Sequence, residues 1–162
     1  MLHKPLQPSA QKVADAAATL GLTIDIVTFE QPTRTAEQAA EAIGCAVGQI
    51  VKSLVFVVGG KPVMALVSGS NQLETRKLAG LFGVGRKQVE RADADTVREA
   101  TGYAIGGVPP FGHATTMPVY VDEDLMRYDV IWAAAGTPNT VFAITPADLL
   151  RAGGGHVADL RV

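Results

Sequence analysis

Two stretches of this 162-residue chain combine residue types and spacing that suit chemistry. The first is Val51-Lys52-Ser53-Leu54, at the start of a run that continues through Val58. In an extended chain alternate residues share a face, so Lys52 points the same way as Leu54, Phe56 and Val58. An ammonium on an apolar face is costly unless it reaches water, a partner or a ligand. The plainer account is a lysine at a strand start that snorkels to the rim. The functional account is a cation at the mouth of a pocket, placed to hold an anionic or ester group. The second stretch is Thr101-Gly102-Tyr103-Ala104-Ile105-Gly106-Gly107-Val108-Pro109-Pro110-Phe111-Gly112-His113. Four glycines and two prolines fix an irregular backbone, in which glycine permits close approach and unusual dihedrals. Such a loop can aim backbone N–H groups at a carbonyl oxygen or an oxyanion. Taken alone, it equally suits a rigid structural turn.

Other chemistries lack their residues. His3, His113 and His156 are far apart, and the chain has no cysteine pair and no His-Glu-x-x-His, so no metal site is expected. There is no P-loop, and Gly83-Val84-Gly85 lacks the third glycine of a dinucleotide fingerprint. Ser68-Gly69-Ser70 lacks the spacing of a nucleophile elbow, and Cys45 has no histidine nearby in sequence. An enzyme built on this chain would work without metal, cofactor or standard triad.

The elements that must position Lys52 and the loop alternate between helix and strand. Ser9 is a plausible cap for a helix with the apolar stripe Val13, Ala16, Ala17 and Leu20, ending at Gly21. Ile24 to Phe29 reads as a strand. Thr35-Ala36-Glu37-Gln38 fits a capping box for a helix that Gly44 ends. Val51 to Val58 and Lys61 to Val67, joined by Gly59-Gly60, predict a hairpin, apolar on both faces and so buried on both. Helices are expected over Leu73 to Phe82, from Asp93 or Asp95 to Thr101, and from Thr145-Pro146-Ala147-Asp148. Strands are expected over Pro118 to Val121, Val130 to Ala134 and Thr140 to Ile144, followed by a short tail from His156. With no linker and no repeat, residues 1–162 predict a single α+β domain. Its expected core is a mixed, strongly curved, barrel-like sheet flanked by helices.

Composition agrees with one packed core: 48% of residues are hydrophobic and 19% are charged. No apolar run approaches the roughly 18 residues that span a bilayer. Met1 to Pro5 lacks the apolar core of a signal peptide, and Cys45 stands alone, so cytoplasm is the expected compartment. The net charge of −2 argues against a protein that tracks long stretches of phosphate backbone, DNA included. RNA would have to be met locally, at a chain end. Arg76, Lys77, Arg86, Lys87 and Arg91 could supply that contact, or simply form a solvated face.

Val51-Lys52-Ser53-Leu54 followed by Thr101-Gly102-Tyr103 and Gly106-x-x-x-Pro110 resembles the YbaK-like aminoacyl-tRNA deacylases. These are the free-standing relatives of the editing domain inserted in bacterial prolyl-tRNA synthetase. The likeness extends from the first helix to Thr145-Pro146-Ala147-Asp148-Leu149. It implies hydrolysis of a mischarged aminoacyl ester, with Lys52 as the functional lysine that holds the tRNA end. It implies that Gly106, Gly107, Val108, Pro109 and Pro110 form the loop against the aminoacyl group and terminal ribose. Phe29 matches an aromatic at the pocket edge, and Gly136 a glycine in a pocket turn. No metal or cofactor is implied. The implied partner is mischarged tRNA at its 3′ acceptor end, with prolyl-tRNA synthetase a candidate second partner. Relatives acting on cysteinyl-tRNA carry a serine near Ala134 and an acid near Val141, relatives with the prolyl-synthetase insertion pattern carry a histidine in that region, and this chain has none of these; the expected ester is that of a small aliphatic amino acid, with alanine, as on alanyl-tRNA(Pro), the leading case. The competing readings are a non-catalytic module that binds a nucleotide or an aminoacyl-tRNA end, and a regulatory domain that binds another protein.

Overall fold

The computed structural model describes residues 5–162; Met1 to Lys4, and the reading of that terminus, lie outside it. Helix α1 (Pro8–Thr19) starts two residues earlier than expected, with Gln7 as cap. Proline suits the first helical turn because its missing N–H needs no partner there, so Pro8 rather than Ser9 sets the start. Strand β1 (Ile26–Thr28) follows, then α2 (Ala36–Ile43). Thr35 accepts the Gln38 N–H, and Gly44 closes that helix in the left-handed region.

The hairpin forms as the sequence predicts. β2 (Val51–Val58) and β3 (Lys61–Ser68) pair antiparallel, Lys52 opposite Val67 and Phe56 opposite Val63. Gly59 and Gly60 both have positive φ, which the tight turn requires. Alternation splits the hairpin between two apolar clusters. Val51, Val55, Met64 and Leu66 face one core. Phe56, Val58, Val63, Ala65 and Val67 face the other, with Leu78 and Leu160.

Helix α3 (Thr75–Leu81) leads into β4 (Val89–Arg91), and α4 (Ala94–Thr101) is capped by the Asp93 side chain. After the glycine-rich loop come β5 (Val119–Asp122), β6 (Ile131–Ala134), β7 (Thr140–Ile144) and α5 (Pro146–Gly153), which Thr145 caps. The chain then returns as a strand the sequence reading missed, β8 (His156–Ala158), parallel to β5.

The fold is α+β, but the barrel-like sheet is a correction. Two open sheets form instead: β4-β2-β3-β5-β8 and β1-β7-β6. They meet at one parallel bridge, Ile50 to Trp132. Closure fails because the outer edge of β2 is shared. Its far half, Phe56–Val58, pairs with β4, while its near half only touches β6 before the two strands part. Among the described residues, no helix is long and apolar enough to cross a membrane.

Candidate active site

The fork where β2 and β6 part is a cleft of about 130 Å³. Ile50, Val51 and Lys52 line one side and Trp132, Ala133 and Ala134 the other. The start of α2, with Arg34 and Thr35, closes one end, and Gly106, Thr137 and Pro138 close the other. Among the residues on this wall, Lys52 and Arg34 carry positive charge and none carries negative charge.

Lys52 is half-buried, and its Nζ donates to the backbone carbonyl of Asn71. That carbonyl is held from behind. The Asn71 amide donates to Asp122 Oδ2 and to Asp124 Oδ2, each at 2.8 Å. Asp122 is fully buried and also accepts the Ser68 N–H at 3.0 Å and the Asp124 N–H at 3.0 Å. Arg161 pairs with Asp124 Oδ2 at 2.5 Å. The hydrogen bonds from Asn71 and Arg161 hold the Asp124 carboxyl below its ordinary range. Burial pushes the Lys52 pKa down; the charges of Glu37 and Asp122 oppose this, and that of Arg91 adds to it. One ammonium N–H is therefore committed to the protein and the remaining donors are available at the cleft.

The loop after α4 is anchored by Gly102, in the left-handed region, and by Thr101 Oγ1, which accepts the Tyr103 N–H at 3.1 Å. Gly106 is exposed, has φ +92°, and lines the cleft. Gly107 is buried against the turn after β6: its carbonyl accepts the Gly136 N–H at 2.9 Å. A Cβ on Gly107 would stand 2.7 Å from the Gly136 backbone, so only glycine allows this approach. Val108 packs in the main core, and Pro109 and Pro110 are buried behind it. The expectation of several N–H donors along this loop therefore narrows. The Gly107 N–H donates to Ala104 O at 3.0 Å, and the two prolines have none. Gly106 is the loop residue that presents its backbone to the cleft.

Phe29 lies elsewhere. It is half-buried in a neighbouring depression with Leu6, Gln7 and Glu30, and the Asn139 amide donates to its carbonyl at 3.0 Å. Gly136 does not line the cleft itself; with φ +97° it lies against the Ser9 backbone and turns the chain so that Thr137 and Pro138 do. Ala134 and Val141 are both on the cleft wall.

The structure adds residues that sequence reasoning passed over. Trp132, the only tryptophan, forms part of the wall and packs on the small cluster under α2. It is half-buried in a strand of alternating burial. Thr137 and Thr140 share a hydrogen bond of 2.6 Å between their hydroxyls, with Thr140 also bonded to Ala135 O at 3.0 Å. Arg34 had no sequence signal beyond lying next to a helix cap. Among the described residues, no cluster of three His, Cys, Asp or Glu side chains is placed to hold a metal.

Known proteins share both the fold and the sequence. The model of the aminoacyl-tRNA editing domain family matches residues 30–152. EbsC of Enterococcus faecalis, named as a proposed Cys-tRNA(Pro)/Cys-tRNA(Cys) deacylase, is 34% identical over 128 residues, covering 78% of this chain and 76% of that protein. YwhH of Bacillus subtilis is 36% identical over 126 residues, 77% of this chain and 78% of YwhH. A crystal structure described as a proposed trans-editing enzyme for prolyl-tRNA synthetase superposes with TM-score 0.92 at 48% identity, covering 98% of this chain and 99% of that one. Proline–tRNA ligase of Maridesulfovibrio salexigens is 36% identical over 100 residues, 62% of this chain but 17% of the ligase. With a family match over most of its length, a relative 34% identical over 78% of the chain and a solved structure alike over 98% of it, the chain belongs to the aminoacyl-tRNA editing domain family of deacylases.

Proposed function

We propose that the chain hydrolyses the ester between a small amino acid and the 3′-terminal adenosine of a mischarged tRNA, acting in trans on alanyl-tRNA(Pro). The observation that carries this is the juxtaposition of Lys52 and Gly106 across one small cleft that holds no acid. An aminoacyl ester is already activated, so a positioned water and a stabilised oxyanion suffice. Lys52, steadied by Asn71, uses its remaining donors on the terminal phosphate or ribose hydroxyls and adds positive charge near the carbonyl. The Gly106 N–H is the candidate oxyanion donor, and the free hydroxyl of the terminal ribose helps to orient the water. Selection rests on volume. The side chains of Ala134 and Val141 are apolar and themselves give a thiol or hydroxyl no partner, which favours alanine. One methylene in such a pocket discriminates by roughly 10- to 200-fold. The relatives that are proline–tRNA ligases, and the solved structure named for prolyl-tRNA synthetase, support tRNA(Pro) as the carrier and the synthetase as a partner.

A second reading is cysteine, favoured by the name of EbsC. The test follows ester loss from alanyl-, cysteinyl- and prolyl-tRNA(Pro) with wild-type protein and with Lys52→Ala. Faster loss of alanine, abolished by the substitution while the melting temperature holds, is the expected result. Faster loss of cysteine replaces the amino acid in this proposal. Tight binding without turnover on every ester would make the chain a binding module instead.

A further inference from the structure

Charge in this chain is segregated. Five of the 14 basic residues fall between Arg76 and Arg91 against one acid, Glu90, while the other nine face fifteen acids. The fold gathers that segment on one side of the larger sheet. Arg76 and Lys77 lie on α3, Arg86 and Lys87 in the 3₁₀ turn Arg86–Gln88, and Arg91 at the end of β4. Arg86 Nε donates to Thr75 Oγ1 at 3.4 Å, tying the turn to the first residue of α3. Lys77 is paired with Asp159, but Arg76, Arg86, Lys87 and Arg91 are exposed and have no carboxylate partner among the described residues.

The strip leads to the cleft. Arg91 is opposite Phe56 in the β2–β4 pairing, so both side chains share a face, and the guanidinium lies 5.7 Å from the Phe56 ring centre. Lys52 is on that same face of β2, two alternations away, and close enough for the charge of Arg91 to act on it. Glu90, by the same alternation, faces the other way.

We propose that Arg76, Arg86, Lys87 and Arg91 bind the phosphate backbone of the RNA strand whose 3′ end enters the Lys52 cleft. This rests on the reading of that cleft as a tRNA-end site. A protein of net charge −2 gains little from long-range attraction to a polyanion, so a local track of unpaired cations is how it would hold one. Arginine supplies three of the four, and its forked donors suit phosphate.

The test is binding of uncharged tRNA by fluorescence anisotropy across a salt series, for wild type, Arg86→Glu/Lys87→Glu and a control reversal, Arg151→Glu on α5. Each lost phosphate contact lowers the slope of log affinity against log salt by roughly 0.7 to 0.9. The double reversal should lower it by about 1.4 to 1.8 and weaken low-salt binding at least tenfold, with the control near wild type. In parallel, the double variant should lose kcat/KM on aminoacyl-tRNA but keep it on an aminoacylated 3′-terminal trinucleotide. An unchanged slope, an equal loss in Arg151→Glu, or an equal loss on the trinucleotide would overturn the proposal. If wild type hydrolyses neither substrate while the slope still drops, the strip stands and the hydrolytic reading fails.

Discussion

Replacing Gly107 by alanine tests the contact that sets the width of the cleft. The new Cβ would lie 2.7 Å from the carbonyl carbon and oxygen of Gly136 and 2.8 Å from the Thr137 nitrogen, all backbone atoms that cannot rotate away. Ordinary contact begins at 3.4 Å, so the loop and the turn must separate by about 0.7 Å. That separation strains the hydrogen bond from Gly136 N–H to Gly107 O, worth about 0.5–1.5 kcal/mol, and adds an overpacking cost of about 1–3 kcal/mol. The sum, about 1.5–4.5 kcal/mol, corresponds to a fall in melting temperature of roughly 3–18 °C for a domain of this size. Because Gly106 and Thr137 both line the cleft, the same movement widens it, and a misplacement near 1 Å costs on the order of a hundredfold in rate. Gly106→Ala is the companion. Its Cβ meets nothing closer than Pro138 Cγ at 3.9 Å, so only the φ of +92° is strained. It should lose turnover with a melting shift several degrees smaller. Thermal melting and single-turnover deacylation of both variants are the assay. Equal melting shifts for the two, or a Gly107→Ala protein with wild-type melting and rate, would refute the packing argument.

Two pH experiments follow from burial. Lys52 has its pKa pushed below the ordinary lysine value, so if its charge is needed, kcat/KM, corrected for spontaneous ester loss, falls on the alkaline side at a pH below 10.5. Lys52→Arg should remove that limb, and a limb that persists assigns it to another group. Burial also pushes His113 below 6.5, although its bond to Pro109 O at 2.7 Å opposes this. The unfolded chain then binds the proton first, so this contribution to stability is full above about pH 6.5 and is lost as pH falls towards the lower folded value. His113→Gln should show a smaller drop in melting temperature between pH 7.5 and 5.5 than wild type; an equal drop would mean that His113 is not a source of the acid sensitivity.

Much of this architecture was legible because local signals and tertiary structure agree. Gly59-Gly60, Thr35, Asp93 and Thr145-Pro146 each mark a boundary that the structure keeps. The two-faced apolar pattern of β2 and β3 correctly forecasts burial on both sides. What escaped is what pairing decides over long separations. Nothing local in His156-Val157-Ala158 announces a strand; it forms because β5 offers an open edge. Nor does periodicity reveal that β4 and β6 would compete for the outer edge of β2, which is why two sheets were read as one. The cleft shows the same division. Lys52 and Gly106 stand out by type, whereas Trp132, Arg34 and Thr140 become cleft residues only once the fork exists. Val108 and the two prolines, expected against the aminoacyl group, are buried in and behind the main core, since a loop motif does not say which of its sides faces inward.

Helix α1 gives the domain a boundary that the family model does not draw. The family match begins at residue 30 and ends at 152, yet the carbonyl of Ser9 lies directly behind Gly136, and the Ala16 methyl is 2.7 Å from where a Cβ on Gly112 would stand. Lys12 Nζ sits 4.7 Å from the centre of the Tyr103 ring. At the other end, Leu160 is fully buried and its carbonyl receives the Glu74 N–H at 2.7 Å. Excision at the limits of the family match would remove Ser9 from behind Gly136, Val13 and Ala17 from the main core, and Leu160 from the cluster that holds Leu78. Anyone moving this module into another polypeptide should therefore place the joints before Gln7 and after Arg161, and should treat residues 30–152 as the working face of a larger folding unit.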